Sequence, residues 1–198
     1  MRVLVTGATG FIGRALVLRL QRDGHAVVVW ARSDARARGL LGADVDIVGA
    51  GSHIDALVRA LEPCDAVVNL AGEPLMGGRW TAAHRRILED SRIKVTEAVV
   101  QAMAEAKTRP RILISGSAAG YYGDCGDEPL SETSRPGDDF LAELCRKWEA
   151  AAQHAEALGV RVVLLRTGVV LGRAGGHTPE DLSVSRRCDP PQIRRVVA

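Results

Sequence analysis

Three glycines near the start of the chain have the spacing of a phosphate-binding turn. Gly7, Gly10 and Gly13 lie in the run VLVTGATGFIG, directly after an apolar segment and at the start of a helical period. In such a turn the first glycine permits a tight bend, the second lets a pyrophosphate approach the backbone, and the third lets helix and strand pack closely. The helix N-terminus adds free N–H groups and a partial positive charge. These residues predict a dinucleotide-binding site.

The end of the next apolar strand indicates which dinucleotide the site prefers. The chain reads Ala31-Arg32 at this point, with Arg36 and Arg38 close behind. An NAD site usually carries Asp or Glu here for the ribose 2′-hydroxyl, whereas an arginine can pair with a 2′-phosphate. NADP(H) is therefore favoured over NAD(H). The alternative is that Arg32 is only a solvated loop charge.

Small residues also follow the fourth strand, in the run NLAG at Asn69–Gly72. At the carboxyl end of a strand they would let the backbone pass close to the adenosine and ribose side of a cofactor. Gly72 is counted with the cofactor-binding residues for this reason. The alternative is a plain turn between a strand and a helix.

The elements that must position these residues alternate between apolar strands and helical periods. Six strands separated by helices predict an α/β fold with a doubly wound parallel sheet, in the strand order 3-2-1-4-5-6. The predicted strands are Val3–Thr6, Ala26–Ala31, Val45–Val48, Ala66–Leu70, Ile112–Ser115 and Val160–Arg166. The predicted helices are Phe11–Asp23, Ile54–Leu61, residues 80–106 and Asp138–Leu158, with an irregular loop over Gly116–Gly137.

Composition excludes several classes of protein. The chain has 198 residues, 46% apolar and 25% charged, as expected for one soluble domain. A net charge of +2 with interspersed signs does not indicate nucleic-acid binding. Neither a signal peptide nor an apolar run of the roughly 20 residues needed to cross a membrane is evident. The four cysteines are scattered, so we expect no metal site and a reducing, cytoplasmic location. The oligomeric state stays open.

Five runs in order along residues 1–176 resemble the extended branch of the short-chain dehydrogenase/reductase superfamily. They are TGATGFIG, NLAGEPL, SGSAAGYYG, FLAELCRKWEAAA and LLRTGVVLG. The match is closest to the atypical subgroup of NAD-dependent epimerase/dehydratase-like proteins. The resemblance implies an NAD(P)-binding Rossmann fold. By the same resemblance, the residues lining the cofactor would be Gly7, Thr9, Gly10, Phe11, Ile12, Ala31, Arg32, Leu70, Ala71, Arg92 and Val169.

The chain departs from the resemblance in two respects. Ordinary members of the superfamily carry a catalytic Tyr followed four positions later by Lys, and the matching positions here are Leu141 and Cys145. The subgroup also continues into a second, substrate-facing half, where this chain has an irregular stretch rich in arginine and proline. We therefore expect a dinucleotide-binding domain over residues 1–176 and an irregular tail over residues 177–198.

Other residues could supply the missing acid. Ser117 matches the serine of the superfamily if the turn carries one extra residue, and otherwise Ala118 takes that position. Tyr121 and Tyr122 could each donate a proton to a substrate, or could simply pack beneath the following loop. Lys147 lies two residues past the expected lysine, which turns it roughly 200° away on a helix, so we do not expect it to substitute.

Three hypotheses for the whole chain follow. The leading one is an NADP(H)-binding, epimerase/dehydratase-like oxidoreductase of unknown small-molecule substrate, with Ser117 or Tyr121 placing a carbonyl for hydride transfer. The second is a catalytically silent dinucleotide-binding module that senses cofactor state or supports a partner. The third is a truncated product whose sixth strand forms an exposed apolar edge. Arg166, at the end of that strand, could meet a substrate or form a salt bridge.

Overall fold

The computed structural model describes residues 1–49, 51, 53–75 and 79–172, so the predicted tail at 177–198 lies outside the described residues. Six parallel strands form one sheet in the order β3-β2-β1-β4-β5-β6, which confirms the predicted doubly wound α/β fold. The strands are β1 (Arg2–Thr6), β2 (Ala26–Ala31), β3 (Asp46–Gly49), β4 (Ala66–Asn69), β5 (Ile112–Ala118) and β6 (Arg161–Thr167). The helices are α1 (Phe11–Arg22), α2 (Asp34–Leu41), α3 (Ile54–Leu61), α4 (Ala82–Glu105) and α5 (Phe140–Gln153).

Alternating side chains of the strands fill two apolar layers, one on each face of the sheet. Leu4 of β1 joins a cluster with residues of α3 and α4, such as Leu61 and Val99. Its neighbour Val5 points the other way and joins a cluster with Val17 of α1. Because both faces are covered, β1, β2 and β4 read as continuous apolar runs instead of alternating ones.

The structure adds one helix to the prediction and moves two predicted boundaries by more than two residues. Helix α2 was not predicted, although Ser33 accepts a hydrogen bond from the Arg36 N–H as its N-cap and Gly42 ends it. Strand β5 continues to Ala118, followed by a 3₁₀ turn at Ala119–Tyr122, so the irregular loop begins later than predicted. The last predicted helix divides into α5 and a 3₁₀ segment at His154–Leu158.

Strand β6 lies at one edge of the sheet. Three apolar side chains on or just after it are more than one-third exposed: Leu165 (37%), Val170 (38%) and Leu171 (53%). At the centre, β1 pairs with β2 on one side and with β4 on the other. The chain reverses its winding direction there, and such a switch point opens a crevice at the carboxyl ends of the strands. In the part of the chain that the structure describes, no helix is long and apolar enough to cross a membrane.

Candidate functional site

The glycine-rich turn after β1 is held against the end of β4. Gly7 has a positive φ of 66°, and a Cβ on it would lie 2.5 Å from the Leu70 carbonyl oxygen and 2.8 Å from the Ala71 nitrogen. A Cβ on Gly13 would lie 2.2 Å from the Gly7 carbonyl oxygen. Neither position has room for a side chain, so the two runs predicted to line a cofactor are brought together as backbone against backbone.

The N-terminus of α1 opens onto this turn. Gly10 is its N-cap and makes no side-chain hydrogen bond, while the Arg14 N–H is the first to bond back into the helix, to the Gly10 carbonyl. The N–H groups of Phe11, Ile12 and Gly13 come before it and are the ones that a helix offers to an anion. The absence of a side chain at Gly10 and the bare helix end together fit a pyrophosphate.

The segment after β6 reaches the same turn. A Cβ on Gly172 would lie 2.2 Å from the Phe11 ring, so this segment packs directly on the start of α1. Val169 belongs to the segment and is half-buried, while Ile12 is 42% exposed. The structure therefore places Thr9, in the turn itself, and Val169 at the same end of the sheet.

A buried polar network lies beneath the crevice, and sequence reasoning did not find it. The Thr6 hydroxyl donates to Asn69 Oδ1 (2.6 Å), and Asn69 Nδ2 donates to Thr96 Oγ1 (2.8 Å). Trp148 Nε1 also donates to the Thr96 hydroxyl (3.0 Å), and the Ala71 N–H donates to the Thr6 hydroxyl (3.2 Å). The network ties β1, β4, α4 and α5 together. An asparagine ending an otherwise apolar strand was the one signal for it in the sequence.

Arg32 stands at the end of β2, as predicted, with its side chain 87% exposed. The Arg32 Nη2 atom lies 3.5 Å from a carboxylate oxygen of Glu73. The neighbouring Ala31 is nearly buried, and Arg36 and Arg38 belong to α2. The guanidinium is thus available to a ligand at this edge, and its role toward a 2′-phosphate stays a prediction.

Arg92 occupies a different environment from Arg32. It is 8% exposed, and its guanidinium donates to the carbonyls of Leu88 (3.1 Å) and Glu73 (2.9 Å) and lies over the Trp148 ring. Burial lowers the pKa of Arg92 from its ordinary value. A Cβ on Gly72 would lie 3.1 Å from the guanidinium carbon, so Arg92 supports the backbone of the Gly72 segment. Its contact with a cofactor stays a prediction.

Ser117 lies on β5 beside Arg166 of β6, and both meet a buried carboxylate from α5. The Ser117 hydroxyl donates to Glu149 Oε1 (2.6 Å), while Arg166 donates through Nε to Oε1 and through Nη2 to Oε2, both at 2.8 Å. The side chains of Arg166 and Glu149 are 18% and 5% exposed. Glu149 raises the pKa of Arg166 above its ordinary value. Of the two roles considered for Arg166, the structure shows the salt bridge.

The same guanidinium organises the two tyrosines of the 3₁₀ turn. Arg166 Nη1 donates to the Tyr122 hydroxyl and to the Glu132 carbonyl, each at 3.0 Å. The guanidinium carbon also lies 3.5 Å from the centre of the Tyr121 ring, and the two tyrosine rings meet edge to face. Both tyrosine rings therefore pack around Arg166, and Tyr122 is the more deeply buried of the two.

Leu141 and Cys145, at the positions where the resemblance predicts Tyr and Lys, make packing contacts. Leu141 contacts Gly120, and Cys145 is buried with its thiol 3.9 Å from the Ala118 carbonyl. Burial raises the pKa of the Cys145 thiol. Lys147 pairs with Glu143 and with Glu89 of α4 on the exposed side of the helix, as its helical position predicts. Across the described ranges, no cluster of His, Cys, Asp or Glu could hold a metal ion.

The amino-acid sequence is similar to those of a known protein family. Residues 3–188 match the model of the NAD dependent epimerase/dehydratase family. A relative from Arabidopsis thaliana, epimerase family protein SDR39U1 homolog, chloroplastic, is 44% identical over 179 residues, which are 89% of this chain and 51% of that protein. The chain spans about half the length of the curated relatives it matches.

Two solved structures of epimerases share the fold of this chain. The crystal structure of human epimerase family protein SDR39U1 (isoform 2) with NADPH superposes with a TM-score of 0.75 at 34% identity, over 94% of this chain and 60% of that one. The nucleoside-diphosphate sugar epimerase from Corynebacterium glutamicum gives a TM-score of 0.72, also at 34% identity, over 93% of this chain and 37% of that one.

Proposed function

We propose that this chain, which belongs to the NAD dependent epimerase/dehydratase family, binds a nicotinamide dinucleotide and prefers NADP(H) to NAD(H). One observation carries the proposal: Gly7, in the turn that leads to the open N-terminus of α1 at Gly10, lies against the backbone of Leu70 and Ala71 at the switch point of the sheet. Helix N-termini that follow such turns bind pyrophosphate. The human relative whose structure contains NADPH supports the choice of cofactor.

Each part of the dinucleotide has a corresponding part of the site. The N–H groups at the start of α1 would hold the pyrophosphate, and Leu70, Ala71 and Gly72 would pass along the adenosine ribose. Arg32 would pair with the 2′-phosphate, because guanidinium and phosphate form charge-assisted hydrogen bonds and an arginine, not an acid, takes the position directly after β2. Val169 would also line the cofactor, following the resemblance stated above.

Isothermal calorimetry with NADPH and NADH tests the binding. We expect micromolar affinity for NADPH. Arg32→Gln should weaken NADPH about tenfold, which corresponds to about 1.4 kcal/mol, and leave NADH unchanged. Arg161→Gln is the matched control, because Arg161 is also exposed but begins β6, far from the end of β2. A folded sample without NADPH affinity refutes the proposal, and equal losses for both cofactors refute the role of Arg32.

The reaction type that this site supports is hydride transfer to or from a small-molecule substrate. When bound, the cofactor would donate or accept the hydride at its nicotinamide ring. The chain's own part is to place the substrate's oxygen and to move a proton, for which we propose Tyr121 or Ser117. No residue among those described defines the substrate, so the chemical class of the substrate is left open.

A second candidate function, a silent dinucleotide-binding module, rests on a separate observation. Leu141 and Cys145 fill with packing contacts the positions where a catalytic Tyr and Lys would project. A positioned acid contributes about 10²–10⁴-fold in rate, so its loss is a substantial one. Following NADPH absorbance over a panel of carbonyl compounds separates the two functions. If any carbonyl compound of the panel oxidises NADPH, the silent module is refuted. If no compound does, the result supports the silent module.

A further inference from the structure

One carboxylate stands beside the arginine that is expected to select the cofactor. Glu73 lies three residues after the glycine-contacting Leu70, and its carboxylate oxygen is 3.5 Å from Arg32 Nη2. Its side chain is 35% exposed, against 87% for Arg32. Strand β2 itself ends without an acid, so this carboxylate reaches Arg32 from the neighbouring side of the crevice.

Two hydrogen bonds to side chains of helix α4 hold the backbone of Glu73 in place. Its N–H donates to the Ser91 hydroxyl (3.0 Å), and its carbonyl accepts from Arg92 Nη2 (2.9 Å). Arg92 Nη1 donates to the same Ser91 hydroxyl (3.3 Å), and burial of Arg92 lets its guanidinium act as a rigid support. Both hydrogen bonds use backbone atoms of Glu73, so its carboxylate is left to interact with Arg32 and, electrostatically, with Arg92.

We propose that Glu73 competes with the cofactor's 2′-phosphate for Arg32, and thereby limits the preference for NADP(H) over NAD(H). The inference rests on the proposed function, since it concerns the same arginine. A 2′-phosphate must displace the carboxylate from the guanidinium, and the two anions then repel each other across the shared cation. A cofactor with a 2′-hydroxyl meets neither cost. Glu73 is therefore a specificity-determining residue that acts against the phosphorylated cofactor.

Other charges around Arg32 do not remove this effect. Asp34 lies in the first turn of α2, where its negative charge interacts favourably with the positive end of the helix dipole. Arg36 and Arg38 follow on the same helix. All three stay in place when Glu73 is neutralised. An exposed ion pair of this kind changes an equilibrium by about two- to fivefold, which sets the size of the expected shift.

The test compares Glu73→Gln with the unmodified chain by calorimetric titration with NADP⁺ and NAD⁺. Glutamine keeps both backbone anchors and removes only the charge. We expect the Kd for NADP⁺ to fall about two- to fivefold and the Kd for NAD⁺ to stay the same. Raising the salt concentration should shrink the difference, because the charges are exposed. Glu73→Asp keeps the charge on a shorter side chain and should fall between the two.

Glu156→Gln is the matched control, because Glu156 is exposed on the 3₁₀ segment before β6, at the opposite edge of the sheet. It should change neither Kd. Titration with adenosine 2′,5′-bisphosphate repeats the comparison on the phosphate-bearing half of the cofactor alone. An unchanged or raised Kd for NADP⁺ in Glu73→Gln overturns this inference and leaves the proposed function intact. An unmodified, folded chain that binds neither dinucleotide overturns both.

Discussion

Breaking the pair between Glu149 and Arg166 should destabilise the fold more than any surface change of equal size. Arg166→Met removes both hydrogen bonds to the carboxylate, which then keeps Ser117 as its partner. Removing one partner of a buried ion pair costs about 3–5 kcal/mol, because the remaining charge stays out of water. The arginine side chain is 18% exposed, so we expect the lower end, about 3 kcal/mol.

The measurement is urea unfolding followed by circular dichroism, with thermal unfolding alongside. A loss of about 3 kcal/mol corresponds to a fall of about 6–12 °C in Tm for a chain of this size. Arg19→Met is the control, since the Arg19–Asp23 pair is exposed, with its side chains 73% and 43% accessible, and should change little. The double variant Glu149→Leu, Arg166→Met should recover part of the loss, because no buried charge is left unpaired.

The effect should not depend on pH across the neutral range. Glu149 raises the pKa of Arg166 in the folded chain. A group whose folded pKa is raised contributes stability that is fully present below its unfolded pKa, and loses it only as the pH rises through the folded value. Both values lie far above neutrality, so Arg166→Met should cost the same at pH 6 and at pH 9. A loss below about 1 kcal/mol, or single losses that simply add in the double variant, would refute the reasoning.

Three further predictions concern single residues. Gly13→Ala should cost about 3 kcal/mol or more in urea unfolding, because its Cβ would meet the Gly7 carbonyl at 2.2 Å, whereas Gly39→Ala in α2 has open space and should gain up to about 1 kcal/mol. Cys145 should react slowly with iodoacetamide at neutral pH, since burial raises the pKa of its thiol, and peptide mass mapping should show the half-buried Cys125 reacting before Cys145; equal rates for these two thiols in the folded chain would contradict this. Lys147→Met should leave NADPH binding and any NADPH oxidation unchanged, because its ammonium pairs with surface carboxylates; a loss of either would return it to the site.

The sheet and the glycine turn could be predicted because their signals are local. The runs at β2 and α3 match their predicted bounds, since each is a continuous apolar or helical period that ends at a clear breaker. The turn at Gly7 follows from spacing alone, because a positive φ and close backbone contact leave no choice of residue. Helix α2 escaped prediction although Ser33 and Gly42 mark its ends, since its interior is charged and offers a weak apolar period.

The partners of the site's charged residues could not be predicted, because they come from distant parts of the chain. Glu149 reads as one of many acids on a helix, and only the packing of α5 on β5 and β6 makes it the acceptor for Ser117 and Arg166. Glu73 likewise reads as a loop acid until the fold brings it to Arg32. Contacts between elements that are far apart in sequence are set by tertiary packing, and the spacing of residue types along the sequence does not reveal them.

The two proposed catalytic hydroxyls are not equivalent, and the difference can be measured. Ser117 has one proton, which it donates to Glu149, and a carboxylate bound at both oxygens by Arg166 can only accept. The Ser117 oxygen is left to accept a hydrogen bond, so it cannot protonate a carbonyl without breaking this contact. Within the described part of the chain, no hydrogen bond engages the Tyr121 hydroxyl, while its ring lies on Arg166.

If the chain oxidises NADPH with a carbonyl substrate, Tyr121→Phe should therefore lower kcat by about 10²–10⁴-fold without changing the unfolding midpoint. Ser117→Ala should instead lower stability by about 1–3 kcal/mol, since it leaves a buried carboxylate oxygen short of a donor, and should affect kcat less. Tyr122→Phe is the matched control for the aromatic change. The Tyr122 hydroxyl accepts a hydrogen bond from Arg166, so this variant should be less stable to unfolding and should keep most of its kcat. Loss of turnover in Ser117→Ala with full turnover in Tyr121→Phe would reverse the two roles, and would mean that the serine proton leaves Glu149 during the reaction.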